Sequence, residues 1–131
     1  MRKLFCAIVA VLGVTCGASL HAQSSAFAVD FTWQGTAPCF DPKSPPFSLI
    51  SVPDGTKMLK FSMKDLDART YPHGGGSVSY TGQNRVGRGA FSYQGPCPPE
   101  GQHSYQWTVE AQDGSGRTLA TATATKKFPE R

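Results

Sequence analysis

Hydrophobic and polar residues alternate along much of this chain. The stretch "FAVDFTW" puts Phe27, Val29, Phe31 and Trp33 on one side, with Ala28, Asp30 and Thr32 on the other. "KMLKFSMK" sets Leu59, Phe61 and Met63 against Lys60, Ser62 and Lys64. "YQWTVEA" sets Tyr105, Trp107, Val109 and Ala111 against Gln106, Thr108 and Glu110. A period of two marks a half-buried strand, because successive side chains leave opposite faces of a pleated backbone. "TLATATATKKF" predicts a final, weaker strand with small residues on both faces. Helical periodicity is nearly absent. Turn-forming clusters separate the strands: "DPKSPP" at 41–46, "PDGT" at 53–56, "GPCPPEG" at 95–101 and "DGSG" at 113–116. Short strands joined by Pro/Gly turns predict an all-β fold, an antiparallel β-sandwich with little helix.

The first residues break this pattern. Arg2 and Lys3 precede an apolar run from Leu4 to Val14, and small and polar residues follow, ending in "SLHAQ". That is the layout of a secretory signal, too short to span a bilayer as a helix. Removal of residues 1–22 is expected, with cleavage after Ala18 as the alternative, leaving 23–131 as one domain. A periplasmic or secreted protein follows, with no stable membrane insertion after cleavage. Cys6 and Cys16 leave with the signal, whereas Cys39 and Cys97 remain in an oxidising compartment and are expected to form a disulfide. The net charge of +4 falls to +2 without Arg2 and Lys3. The remaining basic residues are scattered and lack interleaved aromatics, which argues against nucleic acid as a partner.

Candidate chemistry lies at the ends of the inward-facing rows. Leu59, Phe61 and Met63 continue at period two to Asp65 and Asp67. Ala111, Val109, Trp107 and Tyr105 continue backwards to His103. If strand geometry persists that far, two carboxylates, an imidazole and a phenol start on core-facing sides. Such groups are costly to bury unless paired or hydrogen-bonded, so a pocket at the strand ends is expected. In the interval between them stands "YPHGGGSVSY", where His73 meets Gly74, Gly75 and Gly76. This is either a hairpin tip or a side-chain-free rim whose amides face a ligand. A histidine, a tyrosine hydroxyl and exposed amides can donate to an anion, and carboxylates can face a positive group. A small phosphorylated or zwitterionic ligand suits that set.

Two other chemistries fit less well. His-Gly-Gly-Gly occurs in the oxyanion loops of some lipases, but the chain has no Gly-x-Ser-x-Gly elbow and no pattern for a parallel sheet. His73, His103, Asp65 and Asp67 could supply metal ligands, yet their spacing is not a recognised zinc or iron pattern. No catalytic residue, metal or cofactor is assigned.

"SPPFSLISVPDGTKMLKFSMKDLDA" followed by "GPCPPEGQHSYQWTVEAQD" resembles the phosphatidylethanolamine-binding proteins, nearest the bacterial Raf-kinase-inhibitor-like branch. The resemblance spans about residues 44–114. It implies packed antiparallel sheets with a small cavity for phosphate-like groups, including phospholipid head groups. It further implies that Asp65 and Asp67 are the family's acidic pair and that His103 and Tyr105 are its second motif. Gly95, Pro96, Pro98 and Pro99 would form a wall, and His73 would stand for the remaining pocket histidine. The chain departs from the pattern where Leu66 and Arg69 replace two prolines and Ser104 an arginine. The function expected is binding of a small ligand by an exported protein. The alternative is an inhibitor or interaction module with a vestigial pocket.

Overall fold

The computed structural model describes residues 25–130; the expected signal segment lies outside them. Seven strands follow in chain order: β1 (Ala28–Phe31), β2 (Phe47–Ile50), β3 (Met58–Asp65), β4 (Gly75–Ser79), β5 (Arg85–Val86), β6 (His103–Gln112) and β7 (Thr118–Phe128). There is no helix among the described residues. The strands form two antiparallel sheets, in the orders β1-β2-β5 and β4-β3-β6-β7.

The alternation read from the sequence is what turns one face of each sheet inward. Leu59, Phe61 and Met63 of β3 are buried, as are Tyr105, Trp107, Val109 and Ala111 of β6. Their register across the pair, Phe61 opposite Val109 and Met63 opposite Trp107, stacks the two rows on one face. The three-stranded sheet answers with Val29, Phe31, Phe47 and Leu49. Phe47 joins the layers, its ring 4.7 Å from Phe61 and 5.2 Å from Trp107, perpendicular to the indole. Burying each such side chain contributes about 1.5–3 kcal/mol. β2 and β5 were not anticipated, because runs of four and two residues are too short to show a period.

The glycine stretch is neither a hairpin tip nor a rim. Gly75 and Gly76 open β4, an edge strand paired with β3 through Ser62↔Gly75 and Phe61↔Gly76. A Cβ at Gly76 would stand 2.5 Å from Phe91 Cβ, and one at Gly75 would lie 1.9 Å from the Phe61 carbonyl oxygen. Close packing, not ligand access, is the reason for glycine at these two positions.

Cys39 and Cys97 are joined in a disulfide across a sequence separation of 58. The chain-entropy relation gives about 4 kcal/mol for a loop of that length. Reducing the protein, or replacing both cysteines by serine, should therefore lower the urea midpoint by an amount equivalent to several kcal/mol. A midpoint that does not move would show that the two loops are held by packing alone.

Candidate functional site

The end of β3 and the start of β6 build the polar part of the site. Asp65 pairs with Tyr105 across the ladder, so His103 stands diagonally opposite Asp65 on the same face. Asp65 is only 3 % exposed. Its Oδ1 accepts the N–H groups of Asp67 (2.8 Å) and Ala68 (3.1 Å), closing the turn that leaves β3. Its Oδ2 accepts Nδ1–H of His103 at 2.7 Å. Burial pushes the Asp65 carboxyl up, but the His103 hydrogen bond, the two amides and the imidazole's charge together hold it below the ordinary carboxylate range. Asp65 is thus ionised at neutral pH and can only accept, which fixes the proton on His103 Nδ1.

The row read from the sequence ends at Asp65. The chain turns after it, and Asp67 is exposed rather than core-facing. Asp67 Oδ2 instead accepts the Ser104 N–H at 2.7 Å, a second tie between the end of β3 and the start of β6. Ligand atoms of Asp65, Asp67 and His103 come within 4.8 Å of one another. Their hydrogen bonds to each other and to the backbone already account for that proximity.

His73 is brought to the same place from the loop before β4. It is 4 % exposed, and its Nδ1–H donates to the Gln94 carbonyl at 2.6 Å, while the Gln94 N–H returns to the His73 carbonyl at 2.9 Å. A carbonyl only accepts, so this ring too has its Nδ1 proton fixed. Tyr105 lies behind both histidines, its ring centroid 5.5 Å from His73 and 6.3 Å from His103. It is fully buried, and its hydroxyl lies close to the Asp65 carboxylate. Burial, and after it the Asp65 charge, pushes its ionisation far up, so the group stays a neutral O–H donor.

Asp65, His73 and His103 line a cavity of about 270 Å³ whose other walls are Phe40, Ala68, Tyr71, Cys97 and Pro99. The lining differs from the expected set in two places. Tyr105 is fully buried and is not among the lining residues. Gly95, Pro96 and Pro98 are not wall residues: Gly95 is packed against the Asp41 backbone, where a Cβ would lie 2.5 Å from the carbonyl oxygen, and Pro96 is fully buried. The wall is made by Cys97 and Pro99 of that loop. Phe40, Ala68 and Tyr71 were missed, because isolated residues in irregular segments carry no periodic signal. A larger open groove of about 360 Å³ borders Asp30, Arg85 and Lys126, but Lys126 is already paired with Asp30 at 3.1 Å.

Residues 76–130 match the family model described as phosphatidylethanolamine-binding protein. Over that segment the chain resembles the family in sequence. Its fold agrees with two solved structures across 82 % of this chain and 100 % of each of theirs. One is a phosphatidylethanolamine-binding protein homolog from Chlamydia trachomatis, with a TM-score of 0.61 and 18 % identity. The other is YbcL of E. coli, described as a member of the mammalian family, with a TM-score of 0.61 and 19 % identity. No curated protein matches the chain in sequence. In this chain the cavity beside Asp65 is where polar groups converge.

Proposed function

We propose that this chain is a phosphatidylethanolamine-binding protein, that it is exported, and that it binds a small phosphate-like anion, free or as a phospholipid head group, in the cavity of His73 and His103. The observation that carries the reading is the convergence of two imidazoles on one cavity, each with its Nδ1 already engaged by the protein. Both rings keep Nδ1 for the protein, leaving each Nε2 for a ligand. Protonated, these atoms donate; neutral, they only accept.

The test is a titration with inorganic phosphate and with phosphoethanolamine, followed by amide NMR shifts. Shifts should concentrate around Asp65, His73, His103 and Tyr105. In His103→Ala the affinity should drop about tenfold, the scale of one charge-assisted hydrogen bond. Shifts that are absent, or dispersed over the surface, would reject the reading.

A further inference from the structure

Two of the loops that wall the cavity are anchored at their bases and loose at their tips. One supplies Phe40, the other Cys97 and Pro99. Residues 38–40 form a turn between Ala37 and Asp41. Asp41 is buried and accepts the N–H groups of Ala37 at 2.9 Å and Lys43 at 3.0 Å, and Arg88 bonds both to it and to the Gly35 carbonyl. In the facing loop, Gln94 is bonded to His73, Gly95 lies against the Asp41 backbone and Pro96 is fully buried. Among the described residues, no backbone hydrogen bond reaches 38–40 or 97–101. What secures the two tips is the Cys39–Cys97 bond, together with the stacking of Phe40 on Tyr71, their rings 6.2 Å apart and within 17° of parallel.

The bond is open to attack. Cys39 is exposed and Cys97 half-buried. Exposed disulfides are the ones that thiol reductants reach most readily. Cys39 and Phe40 both hold left-handed backbone angles, at φ 62° and 61°, a conformation that residues with a bulky side chain rarely adopt. Once the bond opens, the chain loses the constraint that holds those angles. Residues 38–40 then relax toward ordinary ones and carry Phe40 away from the mouth. The polar floor does not depend on the bond: Asp65 and His103 sit on β3 and β6, and His73 is bonded to Gln94, ahead of the loose tip.

We propose that the Cys39–Cys97 disulfide is a redox-sensitive latch: intact, it keeps Phe40, Cys97 and Pro99 closed around the cavity, and its reduction opens the mouth and releases the ligand. This rests on the reading that a phosphate-like anion binds there. The reductant is a dithiol. One of its thiolates attacks a sulfur of the bond, and the other cysteine leaves as a thiolate and takes up a proton. The second thiol of the reductant then resolves the mixed disulfide, leaving two cysteine thiols and a cyclic, oxidised dithiol.

The experiment treats the folded, oxidised protein with dithiothreitol in the absence of denaturant and follows amide NMR shifts and phosphoethanolamine affinity. The bond should be reduced without unfolding, with shifts confined to residues 38–40, Tyr71 and residues 97–101, and with Asp65 and His103 unmoved. Phosphoethanolamine should bind about tenfold more weakly after reduction, the scale of exposing a small apolar group to water, and reoxidation should restore the affinity. Cys39→Ser/Cys97→Ser should behave like the reduced protein, and Phe40→Ala in the oxidised protein should weaken binding in the same direction. A bond that resists the reductant until the protein is unfolded would overturn the inference. So would collapse of the dispersed spectrum on reduction, which would make the bond a support of the whole fold. Equal affinity before and after reduction would also overturn it, with anion binding left standing. If the oxidised protein does not bind phosphoethanolamine, the earlier reading falls and takes this one with it.

Discussion

Gly75→Ala is expected to destabilise the protein by about 3 kcal/mol or more, at the upper end of what overpacking costs. The added methyl would lie 1.9 Å from the Phe61 carbonyl oxygen, 2.7 Å from its carbon and 2.9 Å from Ser62 Cα. All three atoms are backbone of the neighbouring strand, so no side chain can turn aside. Either β4 separates from β3 or the central strand shifts, and β3 also carries Asp65. Gly74→Ala is the control. Its new methyl meets nothing within 4 Å, but the residue has φ +75°, so the cost is backbone strain of about 1–2 kcal/mol. Urea unfolding of the two variants checks the ranking. A Gly75→Ala cost below that of Gly74→Ala would mean that β4 does not lie in the register described.

Asp65→Ala should cost about 3 kcal/mol and disable the site. The carboxylate serves the amides of Asp67 and Ala68 as well as His103, and all three would lose their acceptor. Breaking a buried ion pair costs about 3–5 kcal/mol, and the lower end applies because the His103 side chain is 17 % exposed. The same group makes stability depend on acid. A carboxyl lowered in the folded state contributes stability that is present above its unfolded pKa of about 4 and lost as pH falls through the folded value. Asp65→Asn removes that component, so the fall in the urea midpoint on acidification should be smaller than in the parent protein. It should not vanish, because Asp41 is also lowered, by the Ala37 amide against the cost of burial, and then by the Lys43 amide and Arg88. An acid dependence identical to the parent's would show that Asp65 is not ionised in the folded protein.

These two residues mark how far the sequence could be read. Asp65 was legible, because it continues the row of Leu59, Phe61 and Met63, and a pleated strand carries that parity as far as the pleat lasts. His103 was legible on the same ground from Trp107 and Tyr105. Asp67 was misplaced because the parity rule holds only within a strand, and the amides of Asp67 and Ala68 turn back onto Asp65. Gly75 and Gly76 were read as freedom for a ligand when their role is to let Phe61 and Phe91 come close. Nothing in a run of glycines tells which neighbour it admits.

The sequence by itself determined the sandwich, its inward rows and the paired cysteines, because periodicity and turn chemistry are local properties of the backbone. Only the tertiary structure decided the cavity. Its walls come from Phe40, Tyr71, Cys97 and Pro99, on segments far apart in the chain. Strand pairing and the disulfide bring those segments together, so the shape of the site is set by long-range contacts that leave no pattern along the chain.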